Sequence, residues 1–551
     1  MIPNRVEEEL LISCTPIKIT PEKMKRIETL LHGKIDWNYF LQILFQHRLT
    51  SRVYQSFKKN FISDVPPPIL AELYENVQIE ARRALSMVRE LIGLLNLFKE
   101  QNISSIPYKG PVLAMALYGD VLLRPYMDLD ILIRKEDVSK ARTILESQGY
   151  KPRLHLNLQQ QKWLLQYDCE ETFSKEGLHV DLHWEIDLPH LSFSKLNDQN
   201  LWENLKEMDF GGKTIHVFSP ENLLLILCFH GAKHAWSRLH WICDLASLIH
   251  QHPQMNWEAV VKRTTTLKGE RMLSIGLGLA LDLYALHLPI EVIQKIKTNS
   301  HVMFLITKIR KRLFQKRKSW PRLGNELIYL RIMEGVGNRL RHSLRHVRPT
   351  PAEWMMIPLP EFLYLLYYLV RPIRLITKHI YRFFYKPPNL DLSLFVPTSP
   401  FAVDRMLKLA QVVPQDVVYD LGCGEGRMVV MAAKKYGVRG IGIDKDPKRI
   451  REAKNNARRE GVEHLVKFVK QDAKIADVSS ATLLMLNLPS TAYPKLKPLF
   501  EELKPGTRIV TRTLYINHLS PLKTETFKDH EKFTHVIYLY QVPEKKVDLA
   551  F

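Results

Sequence analysis

The sequence predicts an α/β protein of several domains, and three observations lead to this prediction. The chain has 551 residues, which is more than one hydrophobic core usually organises. Short β-like runs, such as Leu129–Ile133 and Leu178–Leu182, alternate with helical stretches between residues 103 and 186. After Leu392 the alternation becomes regular, which predicts a mostly parallel sheet with helices on both faces.

The composition narrows the class of protein. Apolar residues make up 46% and charged residues 25%, an ordinary globular mixture that argues against wholesale disorder. Five scattered cysteines do not form a disulfide framework and fit a reducing compartment. The first ten residues carry three glutamates where a secretion signal needs positive charge. We therefore expect a cytoplasmic protein, with peripheral membrane association as an alternative.

Changes of pattern along the chain predict four segments. Residues 1–100 form an N-terminal helical region, and residues 101–300 combine an α/β core with a helical subdomain. Residues 301–390 are a basic helical segment that ends in a linker at Lys386-Pro-Pro-Asn. Residues 391–551 form the regular α/β domain.

The positive charge is concentrated in one segment. The formal net charge is +21, and residues 301–390 hold 18 Lys and Arg against 4 Asp and Glu. Such a segment predicts an anionic partner, either nucleic acid or a membrane surface. Its most apolar stretch, Phe362–Val370, is shorter than the roughly 20 residues that a membrane span needs, so we predict no transmembrane helix. Phe362–Tyr385 has the composition of an amphipathic helix that lies in a membrane interface.

Three aspartates predict the first site. Asp128 and Asp130 are two apart in a strand-like run, which places both on one face of the strand. Asp181 lies in a second alternating run, His179–His183. Clustered carboxylates repel one another unless a cation such as Mg²⁺ or Mn²⁺ neutralises them. The three predict a two-metal site that acts on a nucleoside triphosphate, while the alternative interpretation is an ordinary solvated edge strand.

A helix begins close to these aspartates. Tyr108-Lys109-Gly110 is expected to open it, so that Lys109 and the backbone amides at Gly110 cradle phosphates. Further along the chain, five residues suggest zinc, but their spacing matches no common zinc motif; they are Cys228, His230, His234, His240 and Cys243. We predict packed core cysteines, with Lys233 and His234 as candidates for phosphate contact.

The motifs of the first 380 residues resemble a known family. Their order is Lys109-Gly, Leu117-Tyr-Gly-Asp120, Leu123-Arg-Pro125, Asp128-Leu-Asp-Ile-Leu-Ile133, Val180-Asp-Leu-His-Trp184, Leu227-Cys-Phe-His-Gly-Ala-Lys-His-Ala-Trp236 and Asp244-Leu. This order resembles the uncharacterised nucleotidyltransferase family of the polymerase-β-like superfamily over residues 20–380. The resemblance implies a nucleotidyltransferase α/β core with helical additions, and a metal-binding role for Asp128, Asp130 and Asp181. It implies nucleotidyl transfer from a nucleoside triphosphate, and it leaves the acceptor unnamed.

A glycine loop after a strand predicts the second site. Val417–Asp420 leads into Gly422, Gly424 and Gly426, and the Gly-x-Gly-x-Gly spacing differs from that of dinucleotide-binding folds. Asp420 would repel phosphate and suits a cationic ligand such as S-adenosylmethionine.

Two further acids end the next two strands. Asp444 is placed to accept hydrogen bonds from both ribose hydroxyls of that ligand. The carboxylate of Asp472, or the backbone next to it, is expected to contact the adenine amino group.

This segment resembles class I S-adenosylmethionine-dependent methyltransferases over residues 395–551. The resemblance implies a Rossmann-like, seven-stranded sheet; the strand-like runs are Val417–Asp420, Gly440–Asp444, Val466–Lys470, Thr482–Leu486, Arg508–Thr513 and His535–Val542. After the fourth strand, Asn487 and Pro489 match two positions of the motif with which amino-methyltransferases hold an amine, whereas Leu488 and Ser490 do not. The flanking sequences are similar to protein-lysine methyltransferases, so a lysine or another amine is the expected acceptor.

The sequence thus predicts two enzymes in one chain, a metal-dependent nucleotidyltransferase followed by a methyltransferase. In one alternative, the first module has no catalytic activity and presents a substrate, such as RNA, to the methyltransferase. In another, the chain is a peripheral membrane enzyme that acts on a lipid-linked sugar.

Overall fold

The computed structural model describes residues 5–16, 19–175, 177–187, 199–284, 286–315, 322–344, 347–384, 398–488, 493–512, 516, 519, 521–528 and 534–543. These residues form two compact units. The first unit comprises residues 1–35, 43–60 and 77–385, and the second comprises residues 36–42, 61–76 and 386–551. No described helix is long and apolar enough to cross a membrane.

Five strands of the first unit form a mixed sheet in the order β1-β2-β5-β4-β3. They are β1 Ser105–Pro107, β2 Leu129–Ile133, β3 Lys151–Pro152, β4 Glu170–Lys175 and β5 Leu178–His183. Strands β2 and β5 run parallel, and all other pairs are antiparallel. Every residue of β2 is buried, as expected for a central strand covered on both faces. A separate hairpin pairs β6 Leu205–Asp209 with β7 Thr214–Phe218.

Helices precede, interrupt and follow the strands of this sheet along the chain. Those before β6 are α1 Val6–Ser13, α2 Pro21–Leu31, α3 Trp37–His47, α4 Thr50–Asn60, α5 Pro67–Glu100, α6 Gly110–Tyr118, α7 Val138–Ser147, α8 Leu158–Tyr167 and α9 Gln199–Glu203. After β7 follow α10 Pro220–Lys233, α11 Leu239–Gln251, α12 Trp257–Thr266, α13 Glu270–Tyr284, α14 Ile290–Thr298, α15 Ser300–Leu313, α16 Arg322–Ile332, α17 Val336–Leu344, α18 Pro351–Met356 and α19 Tyr367–Phe384. The predicted helix opening at Gly110 and the helical character of residues 220–300 are confirmed.

The second unit contains a seven-stranded sheet in the order β10-β9-β8-β11-β12-β14-β13. Its strands are β8 Val417–Leu421, β9 Arg439–Asp444, β10 Val466–Lys470, β11 Leu483–Leu486, β12 Arg508–Arg512, β13 Lys523–Lys528 and β14 Thr534–Gln541. Its helices are α20 Pro400–Leu409, α21 Arg427–Tyr436, α22 Pro447–Arg459 and α23 Tyr493–Glu501. The first five strands in sequence are parallel, and β14 is antiparallel to both β12 and β13. The seven-stranded prediction is confirmed, and β13 is the strand that the sequence pattern did not reveal.

A buried ion pair joins the helical part of the first unit to the loop that leads into β2. Arg124 Nε donates to Asp244 Oδ2 at 2.9 Å, and Tyr118 OH donates to Asp244 Oδ1 at 2.7 Å. Arg52 donates to the same hydroxyl at 3.1 Å and covers the Tyr118 ring. Asp244 is fully buried, so its negative charge is tolerable only with these donors in place.

We predict that Asp244→Ala destabilises the protein by about 3–5 kcal/mol, because it leaves Arg124 buried without its counter-charge. Chemical denaturation of the full chain measures this change. The matched control is Asp282→Ala, which removes the partly exposed pair between Asp282 and Arg310 and should cost no more than about 1 kcal/mol. Equal losses in the two variants would contradict a structural role for the buried pair.

Candidate functional sites

The first site lies where β2 and β5 run side by side. Asp130 of β2 is directly opposite Asp181 of β5 in the parallel register, so the predicted neighbouring strands are confirmed. Asp128 precedes the first residue of β2, which corrects the expectation that both aspartates lie within the strand. Burial, followed by the negative charges of Asp130 and Asp128, raises the pKa of Asp181.

Asp130 already has two positively polarised partners. Lys109 Nζ donates to Asp130 Oδ1 at 2.8 Å, and His183 Nε2 lies 3.1 Å from the same oxygen. Burial alone would raise the pKa of Asp130, but Lys109 and His183 outweigh it and hold that pKa well below its usual range. On the other side of the ring, Glu170 Oε2 lies 3.2 Å from His183 Nδ1, in a direction that gives no hydrogen bond.

Asp181 has the opposite environment. Its Oδ1 is buried and has no hydrogen-bond partner. Burial raises its pKa to about 6 in spite of a hydrogen bond from Thr172, and the charges of Asp130 and Glu170 act in the same direction. Burial and Asp130 also raise the pKa of Asp128. A carboxylate oxygen left unpaired in such a place is the type of ligand that Mg²⁺ takes.

The predicted Mg²⁺ or Mn²⁺ site at Asp128, Asp130 and Asp181 stays a prediction. Within the part of the chain that the structure describes, no three His, Cys, Asp or Glu side chains are arranged to hold a metal ion. Asp130 Oδ1 is not available to a metal ion in this arrangement, because Lys109 and His183 already bind it.

The C-terminal end of α10 supplies further positive charge to this cleft. Lys233 and His234 are exposed, and the charge of Lys233 helps lower the pKa of Glu170 against the effect of burial. His234 stacks on Trp241 with ring centroids 5.1 Å apart. Partial desolvation by the neighbouring protein atoms, together with the charges of Lys233 and Lys109, lowers the pKa of His234 to about 4, so this imidazole is neutral at pH 7.

The predicted phosphate cradle at Lys109 and Gly110 has a backbone basis. Gly110 has φ +57°, and a Cβ there would lie 3.2 Å from the carbonyl oxygen of Asp128. The position therefore favours glycine, and it places the start of α6 against the strand that carries the aspartates. Sequence reasoning assigned no role to Glu170 and His183. The alternating pattern of β4 and β5 could have indicated them, because the antiparallel register places Glu170 opposite His183.

The second site is the glycine loop between β8 and α21. Gly422, Gly424 and Gly426 all have positive φ, as the predicted close approach of the backbone to a ligand requires. A Cβ at Gly422 would lie 2.8 Å from a Leu488 methyl group, and one at Gly426 would lie 2.6 Å from the Phe468 ring. The loop is therefore restricted to glycine by packing as well as by backbone conformation.

Asp444 ends β9 beside this loop. Its Oδ2 accepts a hydrogen bond from the Gly424 amide at 2.9 Å, and its Oδ1 accepts one from the Asp446 amide at 2.9 Å. Each carboxylate oxygen has a second lone pair, so these bonds orient the side chain and leave acceptor capacity toward a ligand.

Asp420 is the uncompensated charge of the second site. It is 3% exposed, and among the described residues no cation contacts it. Burial, together with the charge of Asp444, raises its pKa to about 7. A ligand that brings positive charge would relieve this repulsion, and the arrangement therefore fits the sulfonium and ammonium groups of S-adenosylmethionine.

The remaining predicted residues lie at neighbouring strand ends. Asp472 follows β10 and caps a short 3₁₀ helix by accepting from the Lys474 amide at 3.1 Å. Asn487 follows β11, and its Nδ2 donates to Thr398 Oγ1 at 2.7 Å. Pro489 and Ser490 lie outside the described residues.

Comparison with known proteins finds a family match in each half of the chain. Residues 33–285 match the family model described as "Uncharacterised nucleotidyltransferase", and residues 420–523 match the "ANTKMT methyltransferase domain". The chain is 39% identical over 154 residues to a protein named protein-lysine N-methyltransferase from Saccharolobus islandicus, covering 28% of this chain and 95% of that protein. It is 26% identical to a human lysine N-methyltransferase that is named after a component of ATP synthase, covering 34% of this chain and 84% of that protein.

A solved structure is also similar to the C-terminal part. The crystal structure of an RNA methyltransferase from Salinibacter ruber in complex with S-adenosyl-L-homocysteine is 42% identical, covers 28% of this chain and 100% of that chain, and gives a TM-score of 0.26.

We predict that Asp420→Asn stabilises the ligand-free second unit at alkaline pH. The folded-state pKa of Asp420, about 7, lies above the ordinary value of 3.8, so this carboxyl lowers the stability progressively as pH rises from about 4 to 7. Replacement by a neutral amide should add on the order of 1–3 kcal/mol at pH 8 and close to nothing at pH 4. Denaturant unfolding of the full chain at both pH values measures the difference. Asp477→Asn, on an exposed turn, is the control, and an equal gain in that variant would contradict the assignment.

Proposed function

Because this chain joins a domain of the uncharacterised nucleotidyltransferase family to a C-terminal domain that belongs to the S-adenosylmethionine-dependent methyltransferases, we propose that the C-terminal domain methylates a lysine side chain of a protein. The observation that carries this proposal is the 39% identity to a protein-lysine N-methyltransferase over nearly its whole length. The carboxylate of Asp420, which is buried without a counter-charge, supports the inference that the domain binds a cationic methyl donor.

The residues that would hold S-adenosylmethionine surround the glycine loop. Asp444 would accept from the ribose hydroxyls, Asp472 and its backbone would contact the adenine, and the backbone of Gly422–Gly426 would lie against the methionine part. Asp420 would balance the positive charge. When bound, the donor would supply an electrophilic methyl group on its sulfonium, with S-adenosylhomocysteine as the leaving group.

The task of the protein on the acceptor side is to hold a neutral amine. A lysine side chain in water has a pKa near 10.4, so the ammonium form, which has no lone pair, dominates at pH 7. Asn487 Nδ2 donates to Thr398 Oγ1 at 2.7 Å, which orients this amide at the end of β11. A carbonyl oxygen at this position would accept an N–H from the amine and thereby orient its lone pair toward the methyl group.

We predict that Asp444→Ala weakens binding of S-adenosylmethionine to the full chain by about 10- to 100-fold, because hydrogen bonds to a charged group are worth roughly 1.5–3 kcal/mol each. Isothermal calorimetry measures the affinity. Asp477→Ala is the control, because Asp477 also binds a nearby backbone amide but lies on an exposed turn. Unchanged affinity in the Asp444 variant would refute the ribose assignment.

The acceptor needs a separate measurement. The full chain is incubated with cell-lysate proteins and methyl-labelled S-adenosylmethionine, and the labelled proteins are hydrolysed to amino acids. We expect the label in methylated lysine, and its loss with Asp444→Ala. Label in RNA or in another amino acid would overturn the lysine proposal while leaving the methyltransferase assignment intact.

A second candidate function belongs to the first unit. We propose that it transfers a nucleotidyl group from a nucleoside triphosphate, supported by the family match and by the position of Asp130 opposite Asp181 on the neighbouring strand. Asp128 and Asp181 would hold a divalent cation such as Mg²⁺, which supplies charge neutralisation for the phosphates when bound. Lys109 and Lys233 would contact phosphate oxygens. If the unit has no catalytic activity, it remains a substrate- or RNA-binding module.

We predict that Asp128→Asn and Asp181→Asn abolish transfer of label from nucleoside triphosphates while the fold is retained, because each replacement removes a carboxylate that burial and neighbouring negative charges disfavour. Asp130→Asn should in contrast destabilise the unit, because Lys109 loses its buried partner. Product labelling and thermal unfolding measure the two effects, with exposed Glu136→Gln as the control. Transfer that survives in both variants would refute the assignment.

A further inference from the structure

The segment from α18 to α19 packs on the rest of the first unit through aromatic rings and a buried ion-pair cluster. Glu353 of α18 is fully buried, and Arg371 binds it at 3.1 Å. Arg374 also binds this carboxylate. Two residues of the same segment, Tyr364 and Tyr367, pack their rings against Trp163 of α8. The side of α19 that faces the protein is therefore formed by arginines and tyrosines.

The opposite side is apolar and faces solvent. We call it the outer stripe; the exposed fractions of its main residues are 81% for Phe362, 75% for Leu365, 66% for Leu369 and 63% for Ile373. These residues recur at helical spacing along the 3₁₀ turn Glu361–Leu366 and the helix that follows it. The exposed residues Met355, Met356, Ile357, Leu366 and Tyr368 lie in the same stretch of chain.

This arrangement inverts the usual amphipathic helix of a globular protein, whose apolar side faces the core. Large apolar side chains exposed as a continuous stripe mark an interaction surface, whereas scattered ones do not. Because Glu353 fixes the two arginines on the inner side, rotation of α19 to bury the stripe would leave that buried carboxylate without a counter-charge. The stripe is held outward by the structure.

The charge of the surrounding sequence indicates what covers the stripe. Residues 301–390 carry 18 Lys and Arg against 4 Asp and Glu. Arg348 lies over the ring of Tyr167, which stacks on Tyr364 of the same segment as the stripe. Apolar residues on one side of a helix with many cations around it are typical of helices that lie flat in the headgroup region of an anionic bilayer.

We propose that the outer stripe docks the protein on an anionic lipid membrane, with α19 parallel to the surface and its apolar side chains inserted among the lipids. No described helix spans a membrane, so the contact is one-sided. The proposal is independent of the methyltransferase and nucleotidyltransferase assignments, because none of the residues of the stripe belongs to either site.

Flotation of the full chain with vesicles tests the proposal. We expect binding to phosphatidylcholine mixed with phosphatidylglycerol, weaker binding to phosphatidylcholine alone, and a decrease as salt is raised. The variant Leu365→Asp/Leu369→Asp should lower the partition coefficient by at least about tenfold, because each change removes an inserted side chain and adds repulsion from the lipid charge.

The matched control is Leu85→Asp/Ile290→Asp, which makes the same changes at two exposed apolar residues outside the stripe. This variant should bind vesicles like the wild type. Equal loss in both variants, or no binding to either lipid mixture, would overturn the proposal. So would a wild-type dimer that the stripe variant converts to a monomer, because a second copy of the chain would then cover the stripe. Binding to RNA that depends on Leu365 and Leu369, without binding to vesicles, would also overturn it.

Discussion

The cost of burying a carboxylate determines much of this structure. A charged group removed from water must be paired, protonated or supplied with a ligand. Asp244 is paired with Arg124 and Tyr118, Glu353 with Arg371 and Arg374, and Asp130 with Lys109 and His183. Each pairing also joins elements distant in the sequence: a loop to α11, α18 to α19, and the start of α6 to β2 and β5. Charge compensation thus fixes which elements pack together.

Each candidate site holds one carboxylate that no cation contacts among the described residues. Asp181 has a buried oxygen without a hydrogen-bond partner, and burial together with the charge of Asp444 raises the pKa of Asp420 to about 7. Folding without a ligand leaves both groups in an unfavourable state, which is a common property of binding and catalytic sites. The two sites differ in the compensation they need. Asp420 lies by a glycine loop and fits an organic cation, whereas Asp181 lies opposite Asp130 on the neighbouring strand and belongs to the proposed divalent-cation site.

Local sequence patterns predicted most of the fold. The features that they did not predict depend on contacts between residues that are far apart in the sequence. The sequence predicted the glycine loop, Asp444 and the strand ends correctly, because each depends on a short stretch of chain with its own backbone requirement. Asp181 was placed beside Asp130 from alternation and family resemblance, and the register confirms it. In contrast, the pairing of Asp130 with Lys109 and His183 depends on three separate elements, and no sequence spacing encodes it. Strand β13 was missed because Lys523–Lys528 is mostly polar, as an edge strand of the sheet permits.

The buried charge of Glu353 determines the orientation of α19. The sequence alone identified 362–385 as amphipathic, but the same pattern fits a helix with its apolar side on the core and one with that side in a membrane interface. The structure decides between them through Glu353, because its carboxylate requires Arg371 and Arg374 on the inner side of α19. Phe362, Leu365, Leu369 and Ile373 then have no position except the outer side. The pairing of this one buried carboxylate therefore determines that the apolar side of α19 faces solvent.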